Sequence, residues 1–297
     1  MLFDNFNNSW VEKSMKNKVL ITCDSVNDLS KKLISKYKIK VLPIQVTIGE
    51  KNYNDDGSIT FEDIYKEYRE NGILPKTAAF SPQNAIDFFK PYADKGYEIV
   101  HIDLSSELSS CYQSASIASL TFEGVHIVDS RHLSTGTGLL VIEACKLRDR
   151  GFSAKEIAEQ LEVFKHKISS SFVVDTLEFI HKGGRCSGVA AMGANMLSLR
   201  PCLEMRDGSL KVVKKYRGKM ERVYAQYVEE RLDVLTIDST REIFLTHSGE
   251  IDKKVLEELK DKISETLKTD NVHITQAGCT VCSHCGPKTL GFIFVEK

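Results

Sequence analysis

The first half of the chain alternates short apolar runs with helical patterns, and few folds admit that alternation. Val19-Leu-Ile-Thr-Cys23, ending at Asp24-Ser25, reads as a buried strand that feeds a loop. The pattern then predicts a helix over 29–37, a strand over 41–48, turn-rich chain over 50–56 and helices over 61–71 and 84–95. A strand over 98–104, a helix over 109–120, a strand over 125–129 and helices over 137–150 and 154–166 follow. This βαβα order implies a mostly parallel sheet between helical layers, an α/β/α domain over residues 18–168. Residues 1–17 lack the continuous apolar core of an export signal and read as an N-terminal extension.

Beyond residue 168 the pattern changes. A strand over 172–175, a glycine turn at Gly183-Gly184 and a hairpin of 199–205 with 209–216 around Asp207-Gly208 indicate antiparallel pairing. Helices over 219–235 and 252–267 flank a strand over 242–246, so residues 169–297 form a second, α+β domain. The crevice between two such domains is the default place for a ligand.

Composition removes several function classes. Forty Lys and Arg against 41 Asp and Glu leave no basic excess for general nucleic-acid binding. No apolar run approaches the ~20 residues that span a bilayer. Eight cysteines in a 297-residue chain without an export signal point to reduced thiols and a cytoplasmic location. The P-loop, dinucleotide, nucleophile-elbow and His-Glu-x-x-His motifs are absent.

Two sets of residues could carry chemistry. Cys279, Cys282 and Cys285, with His284 beside them, have soft-metal spacing and support an alternative reading as a small metalloprotein or metal-dependent enzyme. Thr289 stands where a ferredoxin-type run would need its fourth cysteine, and buried thiols of a strand and loop are the plainer reading. The second set is hydroxyl-rich: Thr77 with Ser81, residues 105–110, and 134–137, each near an expected helix start. Hydroxyls there cap helices, and they also suit a carboxylate, with Ser109 the best candidate. Ser109 as a hydrolase nucleophile would need a general base that the sequence does not identify. Arg185 and His284, each on an expected turn, gain weight only if they converge.

Thr22-Cys-Asp-Ser25, Pro75-Lys-Thr77, the run 105–115, Asp129-Ser130, the run from Leu177 to Arg185 and His284-Cys-Gly-Pro287 occur in one order from Lys18 to Val295. In them the sequence resembles the DegV family of bacterial fatty-acid-binding proteins. The resemblance implies a two-domain α/β protein that buries one long-chain fatty acid in a tunnel. It implies a carrier without catalytic residues, metal or cofactor, which presents the carboxylate to a separate ATP-dependent fatty-acid kinase for acyl-phosphate formation and phospholipid synthesis. No transmembrane segment is expected, and any membrane contact would be transient. Thr77 and Ser109 then match the carboxylate-binding hydroxyls, and Arg185 and His284 the basic residues beside them. The sequence departs from the family pattern at Ala78, Ala79, Phe80, Ser110, Cys111 and Lys288. At ~0.8 kcal/mol per buried methylene, a sixteen-carbon tail would supply roughly 12 kcal/mol of gross transfer energy, leaving selection to the headgroup contacts.

Overall fold

A computed structural model describes residues 18–186, 199–234 and 236–297, so the expected extension at 1–17 and the last residue of the expected helix 219–235 lie outside the described residues. The chain begins with strand β1 (Lys18–Asp24), helix α1 (Lys31–Tyr37) and β2 (Lys40–Leu42). β3 (Gln45–Ile48), β4 (Lys51–Asn54) and, after α2 (Phe61–Asn71), β5 (Lys76–Ala78) pair as a separate three-stranded antiparallel sheet. After α3 (Pro82–Ala93), β6 (Tyr97–Asp103), α4 (Cys111–Ser119) and β7 (Val125–Asp129) complete a parallel four-stranded sheet in the order β2-β1-β6-β7. Alternate residues of β1 and β6 explain the layers: Ile21 and Val100 face α5 (Thr135–Asp149) and α6 (Ala154–Phe164), while Leu20 and Ile99 pack on α3 and α4.

The strand expected over 41–48 is two strands in two sheets. Pro43 has no N–H for a ladder, and Ile44 leaves the sheet by donating to Ser25 Oγ at 3.0 Å. The Ile44 carbonyl accepts from Asp55 N at 2.9 Å, which folds the turn-rich segment back and lets 51–54 form β4. Ser81 caps α3 as expected of a hydroxyl at a helix start, with its side chain accepting from Asn84 N. Ser134 does not cap α5. Its φ is 56° and its Oγ donates to Asp28 at 2.5 Å instead.

The second half holds β8 (Ile168–Val173), α7 (Glu178–Gly183), β9 (Leu199–Arg206), β10 (Ser209–Arg217), α8 (Met220–Val234) and β11 (Ile243–His247). Helix α9 (Lys253–Leu267), β12 (Val272–Gln276), α10 (Cys279–Cys285) and β13 (Leu290–Val295) follow. Its sheet runs β10-β9-β8-β13-β11-β12 and is antiparallel except between β11 and β12. The hairpin turns at Asp207-Gly208, where φ is 49° and 80°, the sign that a two-residue primed turn requires at both positions. One face of this sheet buries Tyr227, Ile263 and Phe292 beneath α8 and α9. The other places Phe244, Ile293 and Val295 in the same core as Leu140 and Ala144 of α5, so the two sheets share that helix. Among the described residues no helix is long and apolar enough to cross a membrane.

Candidate functional site

A cavity of about 70 Å³ lies between the two sheets, and Thr77, Ser109, Arg185 and His284 all line it. The rest of its wall is mainly aliphatic, with Val26, Ile44, Leu104 and Leu133 from the first half and Ile180 and Leu210 from the second. Leu133, Val281 and Cys285 also line a smaller neighbouring cavity, so these side chains form the wall common to the two.

The segment Thr22-Cys-Asp-Ser25 builds this wall without lining the polar end. The Asp24 carboxylate accepts from Val26 N at 2.7 Å and from Leu104 N at 2.6 Å, which fixes two lining residues from different strand ends. Ser25 holds Ile44 in the same way. Burial, followed by the nearby Asp103, pushes the Asp24 carboxyl well up from its ordinary value.

The polar residues come from four elements. Thr77, expected beside a helix start, lies instead in strand β5. Its Oγ1 is 2.7 Å from His284 Nε2. Ser109 sits just before α4, where its Oγ accepts from Cys111 N at 3.3 Å and lies 3.2 Å from Cys111 Sγ. No general base joins it among the described hydrogen bonds, so the hydrolase reading gains no geometry. Arg185 follows the end of α7, donating to the Gly183 carbonyl at 2.7 Å and, through Nε, to the Leu108 carbonyl at 3.4 Å. Its side chain is exposed.

His284 was expected on a turn and is found in the last turn of α10. Burial and then the neighbouring Arg185 charge hold its pKa down at about 4, so the ring is neutral at pH 7. It therefore serves as a hydrogen-bonding ring there and not as a counter-ion. Gly183 explains the close approach of α7: a Cβ at that position would stand 2.5 Å from His284 Nδ1.

Helix α10 is aimed by carboxylates of the first half. Gly278 N donates to Asp28 at 2.8 Å, and Cys279 N and Thr280 N donate to Asp55, each at 2.9 Å. This docking turns Thr280, Val281, His284 and Cys285 toward the cavity. Burial raises the Asp28 carboxyl to about 7, against the lowering effect of its bonds from Ser134 and Gly278. Neither aspartate was singled out from the sequence, because the carboxylates are separated from Gly278 by more than 220 positions.

The three cysteines lie on this helix, not in a strand and loop. Cys279 Sγ donates to the Ile59 carbonyl at 3.3 Å and Cys282 Sγ to the Ala277 carbonyl at 3.5 Å, while Cys285 lines the cavity. Burial pushes the Cys279 and Cys285 thiols up to about 12, away from the thiolate that binds soft metals. Among the described residues, no three His, Cys, Asp or Glu side chains come together as a metal site.

Comparison with known proteins matches residues 18–297 to the family described as "Uncharacterised protein, DegV family". A DegV domain-containing protein of Clostridium acetobutylicum is 34% identical over 94% of this chain and 99% of its own length. Among solved structures, the DegV family protein of Thermus thermophilus, described for its fatty-acid binding, is 26% identical and superimposes with a TM-score of 0.83 over 94% of this chain and all of its own. The Fatty Acid Kinase B3 protein of Streptococcus pneumoniae, loaded with linoleic acid, superimposes at 0.80 over 94% of this chain and all of its own, and at 18% identity that likeness is one of fold. A family pattern that holds from the first residue of β1 to the end of the chain, over the strands and helices that meet at this cavity, means that the protein belongs to the DegV family.

Proposed function

We propose that the protein is a non-catalytic carrier of one long-chain fatty acid, whose carboxylate meets Thr77, Ser109, His284 and Arg185 and whose tail runs inward past Leu133 and Val281. The observation that carries this reading is the composition of the cavity wall: a hydroxyl, imidazole and guanidinium cluster on one side and aliphatic side chains on the rest. The tail supplies affinity by leaving water, and the polar cluster prevents the desolvation loss of an unpaired carboxylate. The fatty-acid binding described for the Thermus thermophilus relative supports the same ligand class. On this reading residues 18–168 contribute the two hydroxyls and residues 169–297 the two basic side chains.

The exposed position of Arg185 favours presentation of the headgroup outward, to an ATP-dependent fatty-acid kinase that forms the acyl phosphate. A cation beside the receiving oxygen would there stabilise the charge that develops on phosphoryl transfer. The chain supplies no catalytic group, metal or cofactor of its own in this scheme.

Mass spectrometry of an organic extract of the purified protein tests the ligand class. A long-chain fatty acid at up to one equivalent is expected. Its absence, with no binding of palmitate or oleate in titration, would reject the carrier reading. Ser109→Ala should weaken binding of the fatty acid by about 1.5–3 kcal/mol, the usual loss of a hydrogen bond to a charged group. Arg185→Ala should keep most affinity while lowering acyl-phosphate formation by added kinase and ATP.

A further inference from the structure

Thr280 lines the cavity, is 6% exposed, and its hydroxyl oxygen is buried without a hydrogen-bond partner. Buried hydroxyls in folded proteins nearly always have one, and an orphan beside a ligand cavity calls for a reason. Its neighbours show what a satisfied hydroxyl does here. Ser283 Oγ donates to the Cys279 carbonyl at 2.7 Å and Thr289 Oγ1 to the Cys285 carbonyl at 3.0 Å, each four residues back. Thr280 stands in the first turn of α10, where the residue four back, Gln276, belongs to β12 and offers no such helical acceptor. Its backbone N–H is taken by Asp55, which leaves the side chain unassigned.

Position on the helix suggests the missing acceptor. Thr280 and His284 are four residues apart, so they share one face with Cβ atoms ~5–6 Å apart. The Thr280 hydroxyl is unpartnered on that face, and a carboxylate, whose two oxygens offer about four lone-pair directions, can accept from it as well as from the other polar groups of the cavity. His284 already meets Thr77 across the cavity. We propose that the Thr280 hydroxyl is a further donor to the carboxylate of the bound fatty acid. The assignment rests on the carrier reading above, and it gives Thr280 a role in selecting an ionised headgroup over a neutral one.

Thr280→Val tests it, because it replaces the hydroxyl by a methyl of nearly the same size. Titrations compare palmitate, hexadecanol and 3-hydroxypalmitate on the wild-type protein, Thr280→Val and Thr280→Ser. Palmitate affinity should fall about tenfold in Thr280→Val, hexadecanol affinity should stay within twofold, and Thr280→Ser should bind palmitate as the wild type does. The carboxyl carbon resonance of bound 1-¹³C palmitate should move in Thr280→Val alone. Unchanged palmitate binding, or an equal loss for palmitate and hexadecanol, would overturn the assignment. A loss confined to 3-hydroxypalmitate would overturn it too, by giving the hydroxyl to the acyl chain. Failure of the wild-type protein to bind palmitate would instead reject the carrier reading itself.

Discussion

Thr77 Oγ1 lies 2.7 Å from His284 Nε2, so a residue of the small antiparallel sheet and one on α10, 207 positions later, hold each other across one cavity. That contact ties the polar side of the cavity to the protonation of a largely buried ring.

His284 binds a proton more readily in the unfolded chain, because its pKa falls from 6.5 to about 4 on folding. Its contribution to stability is therefore present above pH 6.5 and lost as the pH falls toward 4. Urea unfolding across pH 4–7 should show a shallower acid limb for His284→Gln than for the wild-type protein. Some slope should survive in the variant, since burial holds His132 at about 4 as well. Identical acid limbs would show that His284 does not titrate with folding.

Asp28 has the opposite sign. Its folded pKa of about 7 lies above the ordinary 3.8, so the proton stabilises the folded state at low pH and that contribution is lost as the pH rises through 7. Asp28→Asn keeps an oxygen to accept from Gly278 N and removes the titration. Its stability relative to the wild-type protein should rise between pH 4 and 7, read from the same unfolding series. A constant difference across that range would contradict the shifted carboxyl.

Gly183→Ala should displace the imidazole, because the new Cβ would meet Nδ1 at 2.5 Å. Overpacking of this kind destabilises by about 1–3 kcal/mol, and headgroup affinity should fall with it. Thermal unfolding and a palmitate titration read both. Gly184→Ala, at φ 69° with no atom within 4 Å of its Cβ, should lower stability through backbone strain while leaving affinity nearly unchanged.

Arg131 joins the tip of the β9–β10 hairpin to the loop before α4. Its guanidinium donates to the Asp207 carbonyl at the hairpin tip and to Ser106 Oγ, and Ser105 Oγ donates to the Gly208 carbonyl at 2.7 Å. The clamp joins the two segments that bring Leu108 and Leu210 to the cavity wall. At about 70 Å³ the cavity is well below the ~300 Å³ of the smallest usual ligand pockets, so its walls would have to part to admit an acyl chain. Arg131→Met should raise the association and dissociation rates of a fluorescent fatty acid together, by at least about tenfold for the charged hydrogen bonds removed, with little change in affinity. Stopped-flow rates equal to those of the wild-type protein would exclude the clamp as a barrier.

The layered plan is legible in the chain alone, because periodicity and turn chemistry are local. Val19 to Cys23 reads as a buried strand, residues 98–104 and 125–129 as strands, and Asp207-Gly208 as a hairpin turn, since each signal lies within a few neighbouring residues. The family motifs also named Thr77, Ser109, Arg185 and His284, and all four line one cavity. The reason they do so lies in long-range packing. Residues 41–48 divide between two sheets because Ile44 finds a partner in Ser25, nineteen positions away. The cysteine run became a helix because Asp28 and Asp55 accept the amides at its start, across more than 220 positions, and that docking sets which face looks into the cavity. Thr280 was invisible for the same reason: a hydroxyl is ordinary in any sequence, and only burial without a partner distinguishes it. Long-range acceptors and burial are properties of the packed chain, and no local pattern encodes them.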